Sequence, residues 1–118
     1  WSSTNQQPRL EGANAELHSS RLDLDNIKRQ VTEKLDHLKA QIDTSNQKIE
    51  LLKTKHAHLE TSAKALTREY EAGKADFGMY LKARRDALFA CITLAQERAK
   101  NIALITDFNH YIISGERP

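Results

Sequence analysis

The feature that most constrains this chain is a seven-residue apolar repeat in a stretch without helix-breaking residues. Residues 13–72 contain neither glycine nor proline. One series with this spacing, which we call the seam, comprises Leu17, Leu24, Val31, Leu38, Ser45, Leu52, Leu59 and Leu66. A second series, offset by four, comprises Leu35, Ile42, Ile49, His56, Ala63 and Tyr70. Two such series predict a helix in a left-handed coiled coil.

The composition also favours an all-α fold. Only 6% of the residues are aromatic, and Leu, Ala, Lys, Glu and Gln, which favour helices, are abundant. The 18 basic and 16 acidic residues give a net charge of +2, which provides no global field for non-specific binding of nucleic acid. We therefore expect no nucleic acid partner.

Gly73 and Gly78 are the only glycines between Gly12 and Gly115, and they divide the helical pattern in two. We predict a linker or disordered N-terminus over residues 1–9, a long first helix over 10–72, a turn over 73–76, a second helix over 77–114 and a tail over 115–118. The first helix would be about 90 Å long. The prediction is a long antiparallel coiled-coil hairpin whose first arm overhangs the second by roughly 20 residues, about 30 Å.

The second helix is predicted to have an apolar stripe diluted by alanines. Asp76 is placed to cap its N-terminus, and Cys91 is expected to be a buried thiol on the stripe. The stripe consists of Phe77, Leu81, Leu88, Cys91, Ala95, Ile102, Ile105 and Ile112, and the small residues beside it are Ala83, Ala87, Ala90, Ala99 and Ala103.

Catalytic and metal-binding chemistry is not indicated. No two histidines are three or four residues apart, the spacing that a metal site on one helix needs. Cys91 is the single cysteine, and no phosphate-binding glycine loop or nucleophile motif is present. Uncharged stretches such as residues 87–96 are too short to span a bilayer as a helix. We expect no enzyme, no metal, no cofactor and no membrane insertion by this segment.

The predicted hairpin end combines basic and aromatic residues, a composition suited to a protein contact site. Near the turn lie Arg68, Lys74, Lys82, Arg84 and Arg85, together with Tyr70, Phe77, Met79 and Tyr80. A solvated helix end would explain the charges by themselves, whereas the aromatic residues favour a contact surface.

Three segments resemble the outer-membrane efflux protein family, the TolC-like channels. In chain order they are Arg68-Glu-Tyr-Glu-Ala-Gly-Lys-Ala-Asp-Phe77, Leu81-Lys-Ala-Arg84 and Leu94-Ala-Gln-Glu-Arg98. The family repeat has a Tyr-x-x-Gly turn, then Leu-x-Ala-Arg/Gln and Leu-Ala-x-x-Arg. Upstream, Ala13-Asn-Ala-Glu-Leu17, Leu22-Asp-Leu24 and Arg29-Gln-Val31 are similar to the start of the family's long periplasmic helix.

The resemblance implies a periplasmic segment of a homotrimeric outer-membrane channel for efflux or secretion. In that family the Tyr-x-x-Gly turn meets a membrane-fusion adaptor protein, and an inner-membrane pump supplies energy and substrate choice. Carried over by position, Tyr70, Ala72, Gly73, Lys74 and Phe77 would form the docking tip. Ala75 stands where some members have an arginine, so the resemblance provides no gating arginine at that position.

A different class of function is also compatible with the seam. A stand-alone cytoplasmic scaffold would use Leu17 to Leu66 as an oligomerisation surface. In a parallel dimer of that kind, Gly73 would be a hinge and would not reverse the chain.

Overall fold

The computed structural model describes residues 2–116 and has two helices joined by a short turn. Helix α1 comprises Ser2–Glu71, and helix α2 comprises Phe77–Glu116. The two helices pack antiparallel in a molecule of 107 × 20 × 15 Å. The radius of gyration is 29.0 Å, far above the roughly 15 Å expected of a globular chain of this length. The predicted all-α helical hairpin is confirmed.

Both helices extend beyond the bounds drawn from the sequence. Helix α1 begins at Ser2 and not near residue 10, and it contains Pro8. Pro8 lacks one backbone N–H, which removes a single hydrogen bond near the helix end without interrupting the helix. Helix α2 continues past Ser114 to Glu116, because one glycine in a helix costs only about 1 kcal/mol. The remaining terminal residues, 1 and 117–118, lie outside the described part of the chain.

The turn consists of a C-terminal cap of α1 followed directly by an N-terminal cap of α2. At the end of α1 the N–H of Lys74 donates to the carbonyl of Glu69 (2.7 Å), and the N–H of Gly73 donates to that of Tyr70 (2.9 Å). This is a Schellman motif, and its left-handed residue is Gly73, with φ of 74°. At the start of α2, Oδ1 of Asp76 accepts a hydrogen bond from the N–H of Met79 (2.7 Å).

Gly73→Val should lower the free energy of unfolding by about 1 to 2 kcal/mol or more. A Cβ at this position would meet no atom within 4 Å, so the cost comes from the positive φ and not from crowding. Gly12→Val is the matched control, because Gly12 lies in a helix and its Cβ would also meet open space. Chemical denaturation of both variants tests this. Equal midpoints would show that the left-handed turn at Gly73 does not exist.

Most of the seam lies at the contact between the helices. On α1, Leu38, Ser45 and Ala63 are buried. The half-buried residues of the two heptad series beside them are Val31, Leu35, Ile42, Ile49, Leu52, His56, Leu59 and Leu66. Leu17 and Leu24 are about half exposed, because no part of the described α2 reaches them. Tyr70, at the other end of the second series, is 38% exposed at the turn.

The face of α2 that packs on α1 is not the apolar stripe expected from the sequence. Buried residues of α2 are Ala87, Ala90, Leu94, Glu97 and Asn101, and half-buried ones at the same spacing are Tyr80, Ala83, Leu104, Phe108 and Tyr111. Most of the expected stripe is exposed, including Phe77, Leu81, Leu88 and Ile102. Cys91 is also exposed, so the expectation of a buried thiol was wrong. The alanines, and not the larger residues, let α2 approach the leucines of α1 closely.

Part of α1 extends beyond α2 at the end opposite the turn. The side chain of Asn101 contacts Ser45 and Asn46, which sets the register of the antiparallel pair. In this register, α2 ends beside the stretch of α1 around Val31. All residues of 8–30 are exposed, and we call this stretch the overhang. At about 1.5 Å per residue it is roughly 35 Å long.

Candidate interaction surfaces

The turn end of the hairpin, residues 70–80, carries an aromatic cluster; we call this end the tip. The rings of Tyr70 and Tyr80 are stacked, with centroids 4.8 Å apart and planes inclined by 17°. Phe77 lies beside both rings, at 5.8 Å from Tyr70 and 6.2 Å from Tyr80. The cluster joins the last turn of α1 to the first turn of α2, and it leaves Phe77 55% exposed. An exposed aromatic ring on a rigid turn is suited to contact with another protein.

The five residues expected to form a docking tip are adjacent in space and exposed. Ala72, Gly73 and Lys74 form the turn itself, while Tyr70 and Phe77 flank it. Backbone hydrogen bonds close the turn, so the side chains of Ala72 and Lys74 contribute little to its stability. These two positions can therefore be varied without removing an interaction that maintains the fold.

Basic side chains surround the tip. Arg68, Lys74, Lys82, Arg84 and Arg85 are all exposed. Within the described residues, one ion pair involves this group: Nε of Arg85 lies 3.8 Å from Oδ1 of Asp86. Glu69, Glu71 and Asp76 are exposed at the same end, so the tip carries charges of both signs with a basic excess. Its exposed aromatic rings suit contact with apolar groups of a partner.

The second surface is a row of apolar side chains on α2 that faces away from α1; we call it the outer face. Its main residues are Leu81, Leu88, Ile92, Ile102 and Ile113, which are between 43% and 66% exposed. Ala95 and Ala99 lie between them at helical spacing and are also exposed. Helix α2 therefore has two apolar faces, and α1 covers only one.

Inside the hairpin, a polar layer interrupts the apolar contact. The side-chain amide of Asn101 donates to Oγ of Ser45 (3.1 Å) and to Oδ1 of Asn46 (2.9 Å). One turn away, the carboxylate of Glu97 lies 3.8 Å from Nζ of Lys48. Sequence analysis placed Ser45 in the seam but missed its partner Asn101. The sequence feature that could have identified Asn101 is a heptad series on α2, which consists of Tyr80, Ala87, Leu94, Asn101 and Phe108. Asn101 is the polar residue of this series that pairs with Ser45, the one serine of the seam.

The residues with potential for catalysis or metal binding are scattered. Nε2 of His56 lies 3.7 Å from Oε1 of Glu60, and both residues belong to α1. In the described part of the chain, no three His, Cys, Asp or Glu residues are grouped as a metal site would need. Neither helix is long and apolar enough over the described residues to cross a membrane. The surfaces that remain are the tip, the outer face and the overhang.

Comparison with known proteins provides no family assignment. No protein-family model, no curated protein and no solved structure matched this chain. Any function assigned to it therefore depends on the geometry of the three surfaces and on the motifs in its own sequence.

Proposed function

We propose that this chain is a wall segment of the periplasmic helical tunnel of a trimeric outer-membrane efflux or secretion channel. The observation that carries the proposal is that α2 has an outer apolar face in addition to the face packed on α1. In a closed wall of helices, each helix has a neighbour on both sides and must bury two faces. An isolated hairpin buries only one.

The outer face is a row of apolar side chains at helical spacing, interrupted between Ile102 and Ile113 by Thr106 and Asn109. Its five large apolar side chains extend from Leu81 to Ile113, along nearly the whole length of α2. Burying an apolar side chain of this size contributes about 1.5 to 3 kcal/mol. Such a row favours packing against another helix, and Ala95 and Ala99 allow that helix to approach closely near the middle.

At the tip, we propose a docking site for a membrane-fusion adaptor protein. The family resemblance includes the turn motif, and the exposed side chains of Tyr70, Lys74 and Phe77 provide aromatic and cationic contacts. In this proposal the chain is a passive conduit without a catalytic residue or cofactor. The partners are two further copies of the channel protein, the adaptor and, through the adaptor, an inner-membrane pump.

Variants at the tip of the full-length parent protein test the docking role. Lys74→Glu or Ala72→Trp should abolish resistance to a transported compound while expression and trimer formation remain normal, because both side chains are exposed. Lys39→Glu is the control, since Lys39 is an exposed charge on α1 far from the tip. Susceptibility of a strain that carries each variant is the measurement. Wild-type resistance with both tip variants would exclude adaptor docking at this end.

The second candidate is a stand-alone cytoplasmic scaffold that oligomerises through the seam. It is favoured by the exposure of Leu17 and Leu24 on the overhang, where the seam continues without a partner in the hairpin. Fractionation of cells that express the parent protein separates the two candidates. Recovery with the outer membrane supports the channel, whereas recovery in the cytoplasm supports the scaffold.

A further inference from the structure

The outer face of α2 carries charge of one sign. In the heptad lettering of this helix, the a positions that pack on α1 include Ala87, Leu94 and Asn101. Positions b and f then form the outer face, and position e forms its edge next to α1. Over residues 77–113, the charged residues at b, e and f are all exposed arginines, namely Arg84, Arg85 and Arg98. The acidic residues of the same stretch lie at d and g, and they are Asp86, Glu97 and Asp107. Over this stretch the outer face is therefore apolar and cationic.

Two of these arginines lie in line along the edge. Arg84 and Arg98 both occupy position e and are two heptads apart, roughly 21 Å along the helix. Arg84 lines a groove of about 600 Å³ between the outer face and α1, together with Ala63, Leu81, Leu88 and Cys91. Glu60 of α1 also lines this groove, but its carboxylate lies 3.7 Å from Nε2 of His56. Among the described residues, neither Arg84 nor Arg98 has an ion-pair partner. Both guanidinium groups are thus available to a carboxylate on a neighbouring helix.

The pattern of the outer face indicates what kind of group fits it. Its apolar residues repeat at helical spacing, and Ala95 and Ala99 leave room near the middle, so an amphipathic helix can pack along it. Carboxylates on the edge of that helix would form charge-assisted hydrogen bonds with Arg84 and Arg98. A bilayer surface fits less well, because Arg84 lines a groove beside α1 that a flat layer of headgroups does not enter.

A second copy of the hairpin does not provide such a helix. Its own outer face carries the same three arginines, so two outer faces packed together would place base near base with no acid between them. Over residues 31–71 of α1, the exposed large apolar residues are Leu51 and Tyr70, which do not form a row. The overhang has apolar residues, but residues 8–30 include four basic and four acidic side chains and thus have no acidic excess.

We propose that the outer face binds an amphipathic helix, different in sequence from α1 and α2, that carries acidic residues opposite Arg84 and Arg98. The inference rests on the proposed function, in which the outer face packs on another helix, and it adds the chemistry of that helix. Because the two arginines are two heptads apart, the acidic residues of the partner helix are also about 14 residues apart. The apolar row provides the contact area, and the arginines select the partner.

Two synthetic helical peptides test this chemistry. Both have the same apolar heptad row, with glutamates along the edges of one and lysines along the edges of the other. We expect calorimetry at low salt to show that the glutamate peptide binds the chain at least about tenfold more tightly than the lysine peptide. Arg84→Glu with Arg98→Glu should reverse this preference. Lys34→Glu with Lys39→Glu is the matched control and should keep it, because these exposed residues lie on α1 away from the outer face. No binding of either peptide, or an unchanged preference in the arginine variant, would overturn the proposal.

Photo-cross-linking in cells tests the natural neighbour. A photoreactive residue at Ile92 of the full-length parent protein should cross-link to a helix with acidic edges, identified by mass spectrometry of the joined peptides. The same residue at Lys39 is the control and should cross-link less, because Lys39 is not on an apolar face. Cross-links from Ile92 to α1 or α2 of a second copy, or to lipid, would overturn the proposal. The cell fractionation described above is independent of this result, since recovery in the cytoplasm would exclude the channel and leave the peptide preference unchanged.

Discussion

Leu94→Ala should lower the free energy of unfolding by about 2 to 5 kcal/mol, whereas Leu88→Ala should lower it by less than about 1 kcal/mol. Both leucines belong to α2 and lie only six residues apart. Leu94 is 5% exposed against α1, and Leu88 is 58% exposed on the outer face. Truncation at Leu94 removes buried contacts and leaves a cavity, while truncation at Leu88 removes a side chain that already contacts solvent.

Urea denaturation at low protein concentration measures the difference, since dilution suppresses association through the outer face. The same pair of variants decides which face of α2 packs on α1. The stripe drawn from the sequence puts Leu88 inside the hairpin, and the structure puts Leu94 there. A larger loss of stability for Leu88→Ala than for Leu94→Ala would contradict the packing described above.

Asn101→Ala should lower the free energy of unfolding by about 1 to 3 kcal/mol. The substitution removes two hydrogen bonds and leaves the hydroxyl of Ser45, a 2% exposed residue, without the amide that bonds it. Asn109→Ala is the matched control on the same helix, because Asn109 is exposed. Thermal unfolding followed by circular dichroism compares them. Equal midpoints for the two variants would show that the polar layer does not contribute to stability.

The same layer should also determine register. Replacing Asn101 with Leu and Ser45 with Ala removes the polar groups together, so less stability should be lost than with Asn101→Ala alone. The hairpin would then lack the hydrogen bonds that distinguish its register from one shifted by a heptad. The distribution of distances between spin labels placed on α1 and α2 should have one narrow peak in the wild-type chain and should be broader in this double variant. A single sharp distance in both would assign the register to the apolar contacts or to the turn.

Much of the hairpin could be predicted from local sequence. The heptad series, together with the absence of glycine and proline over residues 13–72, indicates one long helix, because its formation depends on neighbouring residues. Gly73 and Asp76 indicate the turn for the same reason, since a left-handed C-cap and a carboxylate N-cap are made by residues within one or two turns of the helix ends. The helix ends at Ser2 and Glu116 were less predictable, because Pro8 and Gly115 weaken a helix without stopping it.

The positions of the tip residues follow directly from the turn. Tyr70 and Phe77 are each within four residues of Gly73, so any tight reversal there brings them together. The stacking of Tyr70 on Tyr80 was not predictable, because it depends on how far α2 is rotated about its own axis. The partner of the tip remains a proposal in either case.

The sequence by itself determined that the chain forms two long helices with a reversal at Gly73, and that α1 has one apolar face. It did not determine which face of α2 meets α1. Both rows of α2 repeat every seven residues, and in the half nearer the turn the row with the larger side chains, Leu81, Leu88 and Ile92, is the one left outside. The tertiary structure decided this through size and polarity. Alanines at 83, 87 and 90 fit against the leucines of α1, and Asn101 is the α2 residue that reaches Ser45 and Asn46.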